Sequence, residues 1–237
     1  MKLVPKRRFK GFSGEWEERK LSEIAEINPQ AMLPESFNYV DLESVVGTEL
    51  IAYRTENKKS APSRAQRLAV RGDVFYQTVR PYQKNNYLFD SSSNNFVFST
   101  GYAQMRPNVD SHFLFSRIQE DGFVNSVLSR CTGTSYPAIS SSDLADMEIN
   151  VPTDRSEQVK IGLFFKNLDA NIILQEKHLK KLQTMKQAYL HEMFPAEGES
   201  VPKRRFEGFN REWKTQKLDD IAEIVGGGTP STSNPAY

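Results

Sequence analysis

Cysteine is nearly absent from these 237 residues: Cys131 stands alone, so no internal disulfide can form and the chain suits a reducing cytosol. Net charge is nearly absent as well. At +1 the whole-molecule field cannot drive binding to a polyanion, so any such role must rest on local patches. Histidine is scarce, and His112, His178 and His191 lie too far apart in sequence to suggest a metal site. No run of eighteen apolar residues occurs, and the basic N-terminus has no apolar segment behind it. Neither a membrane span nor an export signal is expected, and a cytoplasmic protein is. Against these absences, charged residues at 26% and aromatics at 11% are ordinary for a globular chain with a real core.

Helix breakers are missing from one long stretch, from Leu163 to Met193. A four-three spacing of apolar residues runs along it through Ile161, Phe165, Leu168, Ile172, Leu179, Leu182, Tyr189 and Met193, interrupted at the seam by Gln175 and Lys186. Asp154 followed by Glu157 has the pattern of a capping box, and Pro195 and Gly198 mark the far end. The spacing predicts a helix of roughly 55 Å. A helix of about ten turns, against about three in most globular helices, is expected to pair with a helix outside its own domain rather than fold back on it. The eight seam residues are the expected dimer interface.

Residues 4–27 and 201–224 are copies of each other, identical at sixteen of twenty-four positions from Val4 and Val201 through Trp16 and Trp213 to Ile27 and Ile224. A period of 197 residues is far beyond that of a solenoid, so the repeating unit is a whole domain with its connecting helix. Three regions follow: a domain over 1–153, a helix over 154–195, and the start of a second unit over 196–237. That last region repeats the opening of a domain without its remaining strands and is expected to complete no core of its own.

In the first unit, Leu21 to Ile27 reads as a short helix ended by Pro29. Tyr39 to Val46 and Val74 to Val79 are β-rich, the latter after the turn pair Gly72-Asp73, and Asn95 to Arg106 reads as two strands split by Gly101. Phe113 to Leu128 reads as one helix, and Met147 to Val151 as a closing strand. The order lacks the alternation of a doubly wound sheet, which makes the fold class α+β.

Seven cations, Lys58, Lys59, Arg64, Arg67, Arg71, Arg80 and Lys84, face a single acid, Asp73, between positions 58 and 84. Tyr76, Tyr82, Asn85, Asn86 and Tyr87 add stacking and hydrogen-bonding groups. Cations to position phosphates, with amides and aromatics to reach bases, are what DNA binding requires. The competing reading is a solvated basic face. A second basic run, Lys2, Lys6, Arg7, Arg8 and Lys10, reads equally well as a tail. Nothing points to catalysis. Ser135 has no base near it in sequence and reads as a turn residue. Gly226-Gly227-Gly228-Thr229-Pro230 lacks the Lys-Ser/Thr of a phosphate loop, and Asn234-Pro235-Ala236-Tyr237 lacks the second proline of an amino-methyltransferase signature.

Several of these fragments together resemble the specificity subunit of type I restriction-modification systems. They are Arg8-Phe9-x-Gly11-Phe12-x-x-x-Trp16 with Lys20-Leu21, Gly72-Asp73-Val74, Val79-Arg80-Pro81, Ser99-Thr100-Gly101-Tyr102, Tyr136-Pro137-x-Ile139-Ser140 through Asp143-Leu144, then Pro152, Glu157-Gln158 and Ile161. The resemblance runs along nearly the whole chain. It implies a non-catalytic target-recognition domain that reads half of a bipartite site in double-stranded DNA, joined to a helix that serves as ruler and dimer seam. It also implies a modification subunit that binds S-adenosylmethionine and a restriction subunit that uses ATP, with no cofactor on this chain. Family members usually carry two units with antiparallel helices. One complete unit is therefore expected to act as a homodimer on an interrupted palindrome. The expected DNA contacts are Lys58, Lys59, Arg64, Arg67, Arg71, Arg80, Tyr82, Lys84, Asn85, Asn86, Thr134, Ser135 and Tyr136, with Arg80, Tyr82 and Lys84 the narrower choice. The alternatives are a helical adaptor that binds no nucleic acid and an inactive fragment.

Overall fold

The computed structural model describes residues 4–133 and 135–227. They fall into two compact units, one ending at Asn171 and the other beginning at Ile172.

The first unit runs β1 (Trp16–Lys20), α1 (Leu21–Ile24), β2 (Ala25–Ile27), β3 (Ser36–Val40), β4 (Val45–Val46), β5 (Glu49–Leu50), β6 (Arg54–Asn57), β7 (Ala65–Leu68), β8 (Val74–Gln77) and a 3-10 turn (Pro81–Gln83). It continues with β9 (Tyr87–Leu88), β10 (Phe96–Ser99), β11 (Tyr102–Pro107), α2 (Ser111–Ile118), α3 (Asp121–Leu128), α4 (Ser141–Ala145), β12 (Glu148–Pro152) and the start of α5 (Arg155–Glu192). One four-stranded sheet has the order β6-β3-β10-β7, with β3 and β10 parallel, and the other has the order β2-β11-β8-β9, antiparallel throughout. The α+β class holds.

Strand alternation explains how these sheets stack, because neighbouring residues send their side chains to opposite faces. Val40 and Phe98 join Phe75, Phe89 and Tyr102 in one cluster, while their neighbours Tyr39 and Val97 join Phe37 and Ala65 in another. In β8, Phe75 points into the first of these clusters, whereas Val74 and Tyr76 point into the helical core with Leu21, Ile24, Phe113, Leu114, Ile118, Phe123 and Val127. All four residues of β8 are buried, which is why it reads as a continuous run rather than an alternating one. Immediately before β8 sits Asp73, 1% exposed, whose carboxylate accepts from Arg106 Nε (2.9 Å) and Nη2 (3.0 Å), Gln104 Nε2 (2.6 Å) and the Val70 amide (2.8 Å). A buried carboxylate with four donors is satisfied by the fold and is unavailable for other work.

Three expectations are corrected. The helix expected over Phe113 to Leu128 is two helices, α2 and α3, separated by Glu120 in extended conformation. The break resets the helical phase, so Phe123, Val124 and Val127 are buried along with Phe113, Leu114 and Ile118. The helix expected over Leu21 to Ile27 stops at Ile24, because Ala25 to Ile27 pair with β11 as an edge strand. The capping box expected at Asp154 is replaced by other contacts: the Asp154 carboxylate accepts from the Ser156 amide (2.8 Å), the Glu157 amide donates to the Asp154 carbonyl (3.1 Å), and the Glu157 carboxylate turns to Arg8.

Helix α5 is continuous for 38 residues, roughly 57 Å at 1.5 Å per residue. Its start is fastened to the first unit. Gln158 donates to Pro152 O (2.8 Å) and accepts from the Asp110 amide (3.1 Å), and Ile161 packs on the helical core. The approach is close enough that a Cβ on Gly162 would lie 2.7 Å from the Phe113 nitrogen, so only glycine fits. Beyond that, Phe165, Leu168, Ile172, Leu179, Leu182 and Tyr189 are all 40% exposed or more. The expected seam is therefore apolar and largely exposed, apart from Ile161 at one end and, at the other, Tyr189, whose ring lies under the Arg204 guanidinium (5.2 Å to its centroid), and Met193, half-buried, just past the helix.

In the second unit α5 runs out at Glu192. Arg204 returns to it, its guanidinium on the Glu192 carboxylate (2.6 Å), and Trp213 packs edge-on against Phe194 with ring centroids 5.7 Å apart. The repeat's second copy forms no strand among the described residues, only a 3-10 turn at Leu218–Asp220, and Phe206, Phe209 and Trp213 remain exposed. Among the described residues no helix is long and apolar enough to cross a membrane, and no cluster of three metal-ligating side chains occurs.

Candidate nucleic-acid interface

Gly101 closes the turn between β10 and β11, and its carbonyl accepts from both the amide (3.0 Å) and hydroxyl (2.8 Å) of Thr78 at the end of β8. From that point a chain of backbone hydrogen bonds ties four loops into one face. Thr100 N donates to Arg64 O (2.8 Å), fastening the loop before β7; Ile139 N donates to Thr78 O (3.0 Å) and Arg80 N to Pro137 O (2.7 Å), fastening the loop before α4. Bridges between Val79 and Ala138 and between Thr132 and Ala138 complete the seam.

Two regions that sequence reading singled out separately thus meet. The Arg80 guanidinium lies over the Tyr136 ring, 4.2 Å from its centroid, and Tyr136 is 64% exposed. A cation held over an exposed ring is pre-oriented for a phosphate or a base edge, at a gain of about 0.5–1 kcal/mol for an exposed pair. Arg80 and Lys84 bracket the Pro81–Gln83 turn, and both have left-handed backbones with φ of 54°. Strain of this kind in non-glycine residues costs roughly 1–3 kcal/mol and clusters at functional sites. It is over-determined here from below: Gln77, almost fully buried, donates to Val79 O (2.7 Å) and Gln83 Oε1 (2.9 Å). Gly133 has φ of 85°, and a Cβ there would meet Tyr136 O at 3.1 Å, so the turn that presents Tyr136 requires glycine.

The remaining expected contacts divide. Lys58, Lys59 and Arg64 are exposed on the loop between β6 and β7, Lys58 3.9 Å from Glu35, and Tyr82 and Ser135 are exposed beside Arg80 and Tyr136 in the chain. Thr134 lies outside the described residues. Arg67 is half-buried in β7, its Nε unpartnered and its pKa lowered by that burial. Lys84 pairs with Asp121 at the start of α3, whose carboxyl that contact holds below its usual range. Asn85 accepts from the Gly47 amide (2.8 Å).

Two placements run against the expected patch. Asn86 is 1% exposed, accepting from Gln77 N (2.8 Å) and donating to Gln119 (3.1 Å); it is a strut beneath the loop and has no free group to offer a base. Arg71 sits at the other end of β8 from Arg80, hydrogen-bonded to Asp90 (2.9 Å), which also receives Lys166 of α5 (3.1 Å). These contacts, Arg71 foremost, lower the Asp90 pKa. The seven cations therefore do not form one patch, because a strand separates them. Sequence reading missed the struts Gln77 and Gln83 and the Thr78–Gly101 seam, all of which join residues distant in the chain or buried beneath the loop.

The model of the type I restriction modification DNA specificity domain matches residues 13–184. The HindI specificity subunit of a type I restriction enzyme from Haemophilus influenzae is 25% identical over 163 residues, covering 66% of this chain and 35% of that protein. A chain solved in work on complex assembly and conformational transition of the type I R-M system superposes with a TM-score of 0.61 at 26% identity, over 97% of this chain and 59% of its own. The HsdS subunit from Thermoanaerobacter tengcongensis superposes with a TM-score of 0.53 at 27% identity, over 84% of this chain and 53% of its own. The chain thus spans about a third of the curated relative's length and somewhat over half of these solved chains.

Proposed function

The chain belongs to the type I restriction-modification DNA specificity domain family, and from that premise we propose that it reads one half of a bipartite site in double-stranded DNA through the face around Arg80 and Tyr136. The observation that carries this reading is the convergence of four loops on a strained, cation-bearing turn, with Arg80 held against an exposed tyrosine. Lys58, Lys59 and Arg64 supply phosphate contacts from the neighbouring loop. In this reading Arg80, Tyr82, Ser135 and Tyr136 reach bases. The chain itself is non-catalytic. It docks a modification subunit, which binds S-adenosylmethionine, and a restriction subunit, which uses ATP, in the cytoplasm.

The largely exposed seam of α5 supports a second element of the proposal, an antiparallel pairing of two copies through Phe165, Leu168, Ile172, Leu179, Leu182 and Tyr189. Such a pair has two-fold symmetry and presents the same reading face twice in opposite sense, which selects an interrupted palindrome. A helix of this length covers about one and a half turns of duplex, at about 34–36 Å per turn, so half-site centres are expected about one turn apart once domain width is allowed for.

Fluorescence anisotropy with a duplex library, in the presence of the modification subunit, tests the reading. Affinity is expected to fall steeply with salt, by a log–log slope of about −0.9 per phosphate contact. Failure to bind any duplex under those conditions would leave a helical adaptor as the better description.

A further inference from the structure

The two copies of the repeat are the same arm in two different settings. In the first, Arg8 donates from Nε and Nη2 to the two carboxylate oxygens of Glu157, both at 2.7 Å, and Phe9 packs edge-on against Phe164 with centroids 5.7 Å apart. The cavity left there is about 380 Å³. Glu157 is 1% exposed, so this arginine fork is what neutralises it.

In the second copy, 197 residues on, the equivalents are Arg205 and Phe206. That arm is held at the end of α5 by other residues: Arg204 on Glu192 and Trp213 on Phe194. The gripping pair is left over. Phe206 is 71% exposed, and among the described residues Arg205 forms no ion pair. Both line a cavity of about 1130 Å³, three times the first, walled on the helix side by Tyr189, Met193 and Phe194. The larger cavity lacks a wall that the smaller one has, a helix start carrying a carboxylate and, seven residues on, a phenylalanine on the same face.

Within the described residues that surface is the start of α5, and in its own chain Arg8 and Phe9 occupy it. A second copy of the chain supplies another. Full antiparallel overlap of two helices spanning Arg155–Glu192 brings Glu157 of one level with Leu190 of the other, within a turn of the residues that wall the larger cavity. The apolar cavity, the free cation and the register agree on one occupant.

We propose that the second arm, residues 201–213, docks on the α5 start of a second copy, Arg205 taking the Glu157 carboxylate and Phe206 the Phe164 ring. This rests on the antiparallel pairing proposed above. One buried carboxylate with both oxygens engaged cannot hold two forks, so Arg8 and the incoming Arg205 exclude each other. The first arm is then an intramolecular competitor that keeps the docking surface closed until a second copy displaces it.

Cross-linking between differently labelled chains tests this in a Cys131→Ser background. Chains carrying Glu207→Cys are mixed with chains carrying Asn167→Cys, exposed positions beside the docking pair that leave Phe206 and Phe164 in place, and treated with a short bis-maleimide. A second mixture, Leu168→Cys with Leu179→Cys, reports the antiparallel seam by itself. Linked dimers are expected from both mixtures. A link from the seam mixture with none from the arm mixture overturns the arm docking and leaves the dimer standing; no link from either overturns both. A second measurement has a sign that a purely structural arm would not give. Arg8→Ala removes the competitor and is expected to tighten the dimer by ~10–100-fold, the equivalent of one charge-assisted pair, with Arg205→Ala cancelling the gain. An Arg8→Ala dimer that is unchanged or weaker, in protein whose melting shows it folded, contradicts the proposal.

Discussion

Replacing Arg80 by glycine and by alanine separates the two things this residue does. Its backbone is left-handed, with φ 54° and ψ 55°, and its side chain covers Tyr136 at 4.2 Å. Both substitutions delete the guanidinium, at a loss of about 0.5–1 kcal/mol from the exposed cation–π pair. Alanine keeps the left-handed penalty, roughly 1–2 kcal/mol for a residue with a Cβ. Glycine releases that penalty but returns about 0.4–1 kcal/mol through the freedom it gives the unfolded chain. Arg80→Gly is therefore expected to be more stable than Arg80→Ala by about 0.5–1 kcal/mol, or on the order of 1–4 °C in melting temperature for a domain of this size. DNA binding should move differently. Both variants lose the same contact, so both weaken equally: by about 1–3 kcal/mol with relaxed specificity if Arg80 reads a base, or with a salt slope shallower by about 0.9 if it holds a phosphate. Differential scanning fluorimetry gives the first comparison and anisotropy titration in graded salt the second. Wild-type affinity and slope in both variants would remove Arg80 from the interface. A glycine variant less stable than the alanine one would show that the strain assigned to this turn is absent.

Asn86→Ala leaves the buried Gln77 amide without an acceptor, so unfolding by urea should show a loss of about 1–3 kcal/mol, and looser presentation of Arg80 should weaken binding without touching DNA directly. Leu168→Asp or Leu182→Asp, each at an exposed seam position, should leave the melting temperature of the first unit nearly unchanged and abolish the dimer in light scattering; a folded dimer in either variant would place the seam elsewhere. His112 is expected to make stability fall with pH. Burial, and next the Lys166 ammonium, hold its pKa below the usual value, opposed by Asp110 and Asp90. Between the unfolded pKa of about 6.5 and the lower folded one, the unfolded chain binds more protons. Stability should therefore decline as pH drops below about 6.5 and level off beneath the folded pKa, and His112→Gln should flatten that segment of the urea-unfolding profile.

Local signals carried much of the fold. Gly72-Asp73 before β8, Gly101 between β10 and β11, and the unbroken run to Glu192 are decided by residues within a few positions, and sequence reading located each of them. What it missed depends on distant partners. Ala25 to Ile27 became a strand because β11, some eighty residues on, offers an edge, and α2 and α3 broke apart to bury both sets of apolar residues in one core. At the site, residue type alone could not separate Arg80 from Arg71, which the β8 strand carries to opposite ends, nor show that Asn86 points inward and that Lys84 is paired. The repeat was plain in the sequence. That its two copies sit differently, one gripping Glu157 and the other leaving Arg205 and Phe206 unengaged, follows from which helix surface lies within reach of each.

The most direct test of sequence recognition by this chain is to sequence the methylated motifs on host DNA when it is the sole specificity subunit supplied with a modification subunit. A bipartite motif with an unread spacer of about one helical turn between half-site centres is predicted, symmetric in its halves and altered in both by Arg80→Ala. A methylation pattern that is the same with and without the chain would contradict the account.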